Sequence, residues 1–118
     1  MKLNIIEKLS FSKFRSSFKL LTKDIEYINK NGLDIIKEHA YKFISDRIKP
    51  AYIANDGKQT PTKGHPVFVA MHATATCCRE CIYKWHKIKK NKELNEKEID
   101  YIVSIIMFWI TKQYNSCL

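Results

Sequence analysis

The segment that most constrains the fold is residues 94–113. Ile99, Ile102, Val103, Ile106, Phe108, Trp109 and Ile110 spread apolar side chains over a wide arc of one helix, and Asn95 with Glu98 supplies a capping-box start. A helix apolar over so much of its circumference has to be covered from several sides. The expected architecture is therefore one all-α domain, residues 1–118, of four or five helices with this one at the centre. At 118 residues and 13.9 kDa the chain can bury one such core without a metal to staple it.

Upstream segments supply the covering helices. Residues 3–9 fit a short helix, and Phe11, Phe14 and Phe18 recur at helical spacing, which predicts that they pack on the core. Thr22 is placed to cap a helix that carries Asp24 in its first turn and stops at Gly32. Across residues 33–49, Leu33, Ile36, Ala40, Phe43 and Ile44 mark one buried face, and Pro50 ends the pattern. His39 lies inside that helix and reads as a surface or satisfied residue outside any site.

Residues 51–64, AYIANDGKQTPTKG, form the longest loop, rich in turn formers. Amide, hydroxyl and lysine groups meet there, which suits a binding loop as well as a plain connector. The G-x-x-x-x-G-K-[ST] pattern is missing, so Gly57 and Lys58 do not read as a nucleotide P-loop.

Chemistry concentrates in residues 65–86, HPVFVAMHATATCCRECIYKWH, which hold three of the four cysteines and three of the four histidines. Pro66 suits a first helical position after His65, VFVAMHA fits two helical turns or a short strand, and ATAT reads as a break with Thr74 or Thr76 capping the helix that follows. Cys78 and Cys81 form C-x-x-C. Thiolates and imidazoles are what zinc prefers in tetrahedral geometry, which makes Cys78, Cys81, His72 and His86 the candidate ligands, with Cys77 and His65 as alternates. At about 100° per residue, Cys77, Cys78 and Cys81 share a helix face with Trp85, whereas His86 points aside. His86 joins only if the helix ends near Trp85.

Two other readings of the same residues stay open. The thiols can be core residues, since free cysteine packs as a small hydrophobe. They can also be reactive, with Cys77 or Cys78 as nucleophile near a helix start, Arg79 beside it and His72 as base, so whether the chain is an enzyme is open. A thioredoxin-like reading lacks a β-α-β context, and no histidine directly follows Cys81, as covalent haem attachment requires.

Clustered thiols without a secretory leader point to a reducing, cytoplasmic setting, and no apolar run is long enough to span a membrane. The formal charge of +9 favours nucleic acid or another polyanion as partner. Lys87, Lys89, Lys90 and Lys92 form the densest basic run, and Lys58, Gln59, Thr60 and Arg79 are candidates for contacting an anion. A monomer is the default expectation.

The phrase GKQTPTKGHPVFVAMHATATCCRECIYKWH, followed by KELNEKEIDYIVSIIMFWI, resembles an uncharacterised bacterial family, domain of unknown function 4186, over about residues 11–113. The resemblance carries over characteristic positions: Gly57 to Pro61, Gly64 to Val67, His72 to Arg79, then Cys81, Trp85 and His86. It brings no assigned activity. Members often have glutamine where this chain has Met71 and glycine where it has Glu80, and neither departure touches the sulfur and imidazole set. The resemblance implies that Gln59, Thr60, His65 and His72 serve a site rather than a core.

Overall fold

The computed structural model describes residues 2–117, the side chains of residues 2 and 3 excepted. Its elements are α1 (Lys2–Ser10), α2 (Lys13–Ser16), α3 (Thr22–Asn31), α4 (Leu33–Arg47), α5 (Pro66–Ala73), α6 (Arg79–His86) and α7 (Glu96–Ser116), with no strand among the described residues. Seven helices replace the expected four or five. The additions are short pieces: α2 is a single turn capped by the Ser12 hydroxyl, which accepts from the Arg15 N–H.

α7 starts as its sequence dictates. The Asn95 side chain accepts from the Glu98 N–H at 2.8 Å, and the Glu98 carboxylate accepts from the Asn95 N–H at 3.0 Å. Ile102, Val103, Ile105, Ile106 and Ile110 are fully buried along it, each worth about 1.5–3 kcal/mol relative to exposure. α4 packs across it through Ile36, Ala40 and Ile44, and α5 through the almost wholly apolar VFVAMHA. The ambiguous 67–69 run is thus helix, started by Pro66 at its first turn.

Three local expectations change. Thr22 lies inside α3 rather than at its cap: Leu21 holds that position, and its N–H donates to Asp24 Oδ2 at 2.9 Å. ATAT is a break, with Ala75 at φ +58°, but its hydroxyls close α5 instead of capping α6. Thr74 donates to the Ala70 carbonyl and Thr76 to that of Met71. Phe11 and Phe14 are exposed, at 84% and 59%, and Phe18 alone of the three packs inward. An α2 of one turn cannot present three consecutive spacings to one core.

Arg79 ties the lower part of the molecule together. Its guanidinium is almost fully buried and donates to the carbonyls of Ile48, Lys49, Pro50, Lys89 and Lys92. Two stretches of chain, 48–50 and 89–92, converge on one side chain. The 51–64 loop is anchored beside it: the Asp56 carboxylate accepts from the N–H groups of Arg79 and Glu80, at the positive end of α6.

Candidate metal and thiol centre

Cys78 is the N-cap of α6, with extended backbone and its Sγ accepting from the Cys81 N–H at 3.3 Å. Cys77 precedes the helix, and Cys81 sits in its first turn. The helix-face arithmetic assumed an unbroken helix, yet the three thiols still meet, because a cap residue and the third helical residue are neighbours across the first turn. Their sulfurs lie within 4.8 Å of one another. The Cys78 and Cys81 sulfurs are 3.1 Å apart, and those of Cys77 and Cys81 3.8 Å apart.

The sequence reading missed the group that completes this cluster. Arg15, 8% exposed, reaches from α2 and donates from one terminal nitrogen to the His72 carbonyl at 2.8 Å and the Cys77 sulfur at 3.5 Å, and from the other to the Cys81 sulfur at 3.1 Å. Among the described residues it pairs with no carboxylate. The one trace of it in the sequence is an arginine set between Phe14 and Phe18, with Phe14 flanking the guanidinium at 5.0 Å. Three donors, two thiols and the guanidinium, converge on Cys81. Hydrogen bonds from Cys77 and Cys78, then the Arg15 charge, hold the Cys81 thiol far below its ordinary range. Hydrogen bonding with Cys77 and Cys81, with burial, pushes Cys78 the other way. The same sulfurs raise the Arg15 guanidinium against the downward pull of burial.

The structure does not bring the histidines of the expected ligand set to the thiols. His72 Nε2 donates to the Thr60 carbonyl at 3.1 Å, and its ring stacks on Phe18. A carbonyl can only accept, so that nitrogen carries a proton and is neither base nor ligand in this arrangement. His86 Nε2 donates to the Thr74 carbonyl at 2.7 Å, leaving Nδ1 to accept from the Tyr101 hydroxyl at 2.9 Å. Burial keeps His86 neutral further below its usual range. His65, an alternate ligand in the sequence reading, is the N-cap of α5: its Nδ1 accepts from the Val67 N–H at 3.0 Å. Its Nε2 faces Nδ1 of His39 at 3.0 Å, so the half-buried His39 is a satisfied residue, paired with the His65 imidazole and outside the thiol cluster.

The candidate anion contacts divide. Arg79 has both terminal nitrogens on backbone carbonyls, and its Nε, which has no partner, is buried away from an outside anion. The Gln59 amide donates to Asp56 and accepts from the Gly57 N–H, and Thr60 donates to the Cys77 carbonyl at 2.8 Å. These two hold the loop over the thiols. Lys58 alone of the four is exposed. In the basic run, Lys90 pairs with Glu80 at 2.6 Å and Lys92 with Glu98 at 3.3 Å.

Fold and site together define a small all-helical domain built around a buried trithiol and arginine cluster. The chain belongs to the family described as Domain of unknown function (DUF4186), whose model matches residues 3–111. No solved structure matches it. No helix among the described residues is long and apolar enough to cross a membrane.

Proposed function

We propose that the protein binds one soft divalent metal ion, zinc being the best match, through Cys77, Cys78 and Cys81. The observation that carries this is the buried Arg15, whose only anionic counterparts among the described residues are sulfurs. An unpaired buried guanidinium is strongly unfavourable, so its setting calls for thiolate charge. Tetrahedral zinc at about 2.3 Å from each sulfur separates the sulfurs by about 3.8 Å. The Cys77 to Cys81 distance already has that value, and the Cys78 to Cys81 contact has to open from 3.1 Å by about 0.7 Å. Three thiolates and a dication leave one negative charge, which Arg15 balances. When bound, such an ion supplies a Lewis-acidic centre with a fourth position for water or an outside ligand, since His72 and His86 are engaged by carbonyls.

A second reading has its own support: the 3.1 Å contact of Cys78 with Cys81, and the Arg15 charge on Cys81, suit a reactive thiolate. The +9 charge supports an anionic partner such as nucleic acid for either reading. The test is elemental analysis of protein purified without chelator, with cobalt as a spectroscopic substitute. One equivalent of metal and a sulfur-to-cobalt charge-transfer band, both lost in Cys78→Ser and Cys81→Ser, are the expected results. Metal-free protein that gains no cobalt band, with Cys81 alkylated far faster than Cys77, overturns metal binding in favour of thiol chemistry.

A further inference from the structure

A second site lies between the N-terminal helices and α7. There α1, α2 and α7 leave a cavity of about 300 Å³, with Leu9, Phe18 and Trp109 giving it an apolar wall. Lys19 and Lys112 border the same space, and no acidic residue among the described ones does; Arg15 also lines it, with its terminal nitrogens turned to the His72 carbonyl and the Cys77 and Cys81 sulfurs. Neither lysine is paired with a carboxylate among the described residues. The cavity thus combines apolar surface with two positive charges.

We propose that this cavity binds a small amphipathic carboxylate, its charge between Lys19 and Lys112 and its apolar body against Leu9, Phe18 and Trp109. The volume is near the lower end for ligand pockets. At about 30 Å³ per atom, the share of one water in the liquid, it takes about ten heavy atoms. Apolar walls with a few converging charges are what orient a ligand that is hydrophobic at one end and ionic at the other. A neutral ligand leaves the cationic side unmatched, and an inorganic anion leaves the apolar wall wet. A cation meets only like charge. The site goes beyond the metal reading: it borders Arg15 but uses neither that charge nor sulfur nor metal.

Trp109 provides the reporter. Octanoate and 3-phenylpropionate have the right size and charge, one linear and aliphatic, the other compact and aromatic. Each is titrated into the full chain while the two indole N–H resonances are followed by NMR. At least one should shift the Trp109 signal saturably and leave Trp85 unmoved, and the tighter of the two identifies the apolar body the cavity takes. Octan-1-ol, which keeps the tail without the charge, should bind at least tenfold more weakly. The double variant Lys19→Glu, Lys112→Glu should lose at least tenfold in affinity with an unchanged circular dichroism spectrum. If neither acid moves Trp109 at millimolar concentration, or if octanol binds as well as octanoate, the proposal is wrong. Metal content is not read in any arm, so failure of the metal reading leaves this result intact.

Discussion

His65 gives the most quantitative expectation. Its Nδ1 accepts from the Val67 N–H, so that nitrogen holds no proton, and the neutral ring then carries its proton on Nε2 toward His39 Nδ1. Protonating His65 at Nδ1 destroys the cap of α5. Tyr27, Phe43 and Phe68 box the pair with ring centroids 5.0 to 5.7 Å from that of His65, so water cannot take over. Burial first, and His39 second, depress His65 from 6.5 to about 4. That interval is worth about 3 kcal/mol at about 1.4 kcal/mol per tenfold change. Above pH 6.5 the folded and unfolded chains both keep the ring neutral, and the full stability is present. As pH falls, the unfolded chain takes up a proton that the folded chain refuses, so stability declines until about pH 4 and the loss then levels off.

His65→Asn isolates this effect. Asparagine is a strong N-cap that retains the acceptor for Val67 but cannot be protonated. Loss of the ring contacts should leave the variant about 1–3 kcal/mol less stable at pH 7. Wild type should then forfeit that advantage between pH 6.5 and 4, because it alone carries the His65 penalty. His86 is also held neutral by burial, in both proteins, and cancels in the comparison. Urea unfolding at pH 7, 6, 5 and 4, followed by circular dichroism, measures the gap. Parallel profiles for the two proteins across that range would refute the assignment.

Other expectations follow from the guanidinium groups and the loop. Arg15→Met removes the charge beside Cys81, so the midpoint of the pH profile for Cys81 alkylation in metal-free protein should move up. An unchanged midpoint, measured by mass spectrometry of the Cys81 peptide, rules out Arg15 as the counter-charge. Arg79→Met takes the guanidinium donor from the carbonyls of Ile48, Pro50, Lys89 and Lys92, while that of Lys49 keeps the Leu94 N–H, and should cost about 3 kcal/mol, seen as a fall in Tm; a shift of only a degree or two contradicts the clamp. Asp56→Ala removes the acceptor at the start of α6 and should cost about 1 kcal/mol, with faster hydrogen exchange at the amides of Arg79 and Glu80. Unaltered exchange at those two amides would show that Asp56 does not cap the helix.

Sequence alone determined what depends on near neighbours. The periodicity of α4 and α7, the Asn95 and Glu98 box, and Pro66 opening α5 all rest on residues three or four positions apart, and each is visible as spacing. The meeting of Cys77, Cys78 and Cys81 belongs to the same class, because one helical turn brings them together. Tertiary structure decided the rest. Arg15 reaches sulfurs 62 and 66 positions away, Arg79 gathers carbonyls from two remote stretches, and His39 finds His65 across 26 residues. The same long-range contacts drew His72 and His86 onto carbonyls and away from the thiols. A hydrogen bond between remote residues imposes no period on the chain, so which polar groups satisfy one another is fixed only when the helices pack.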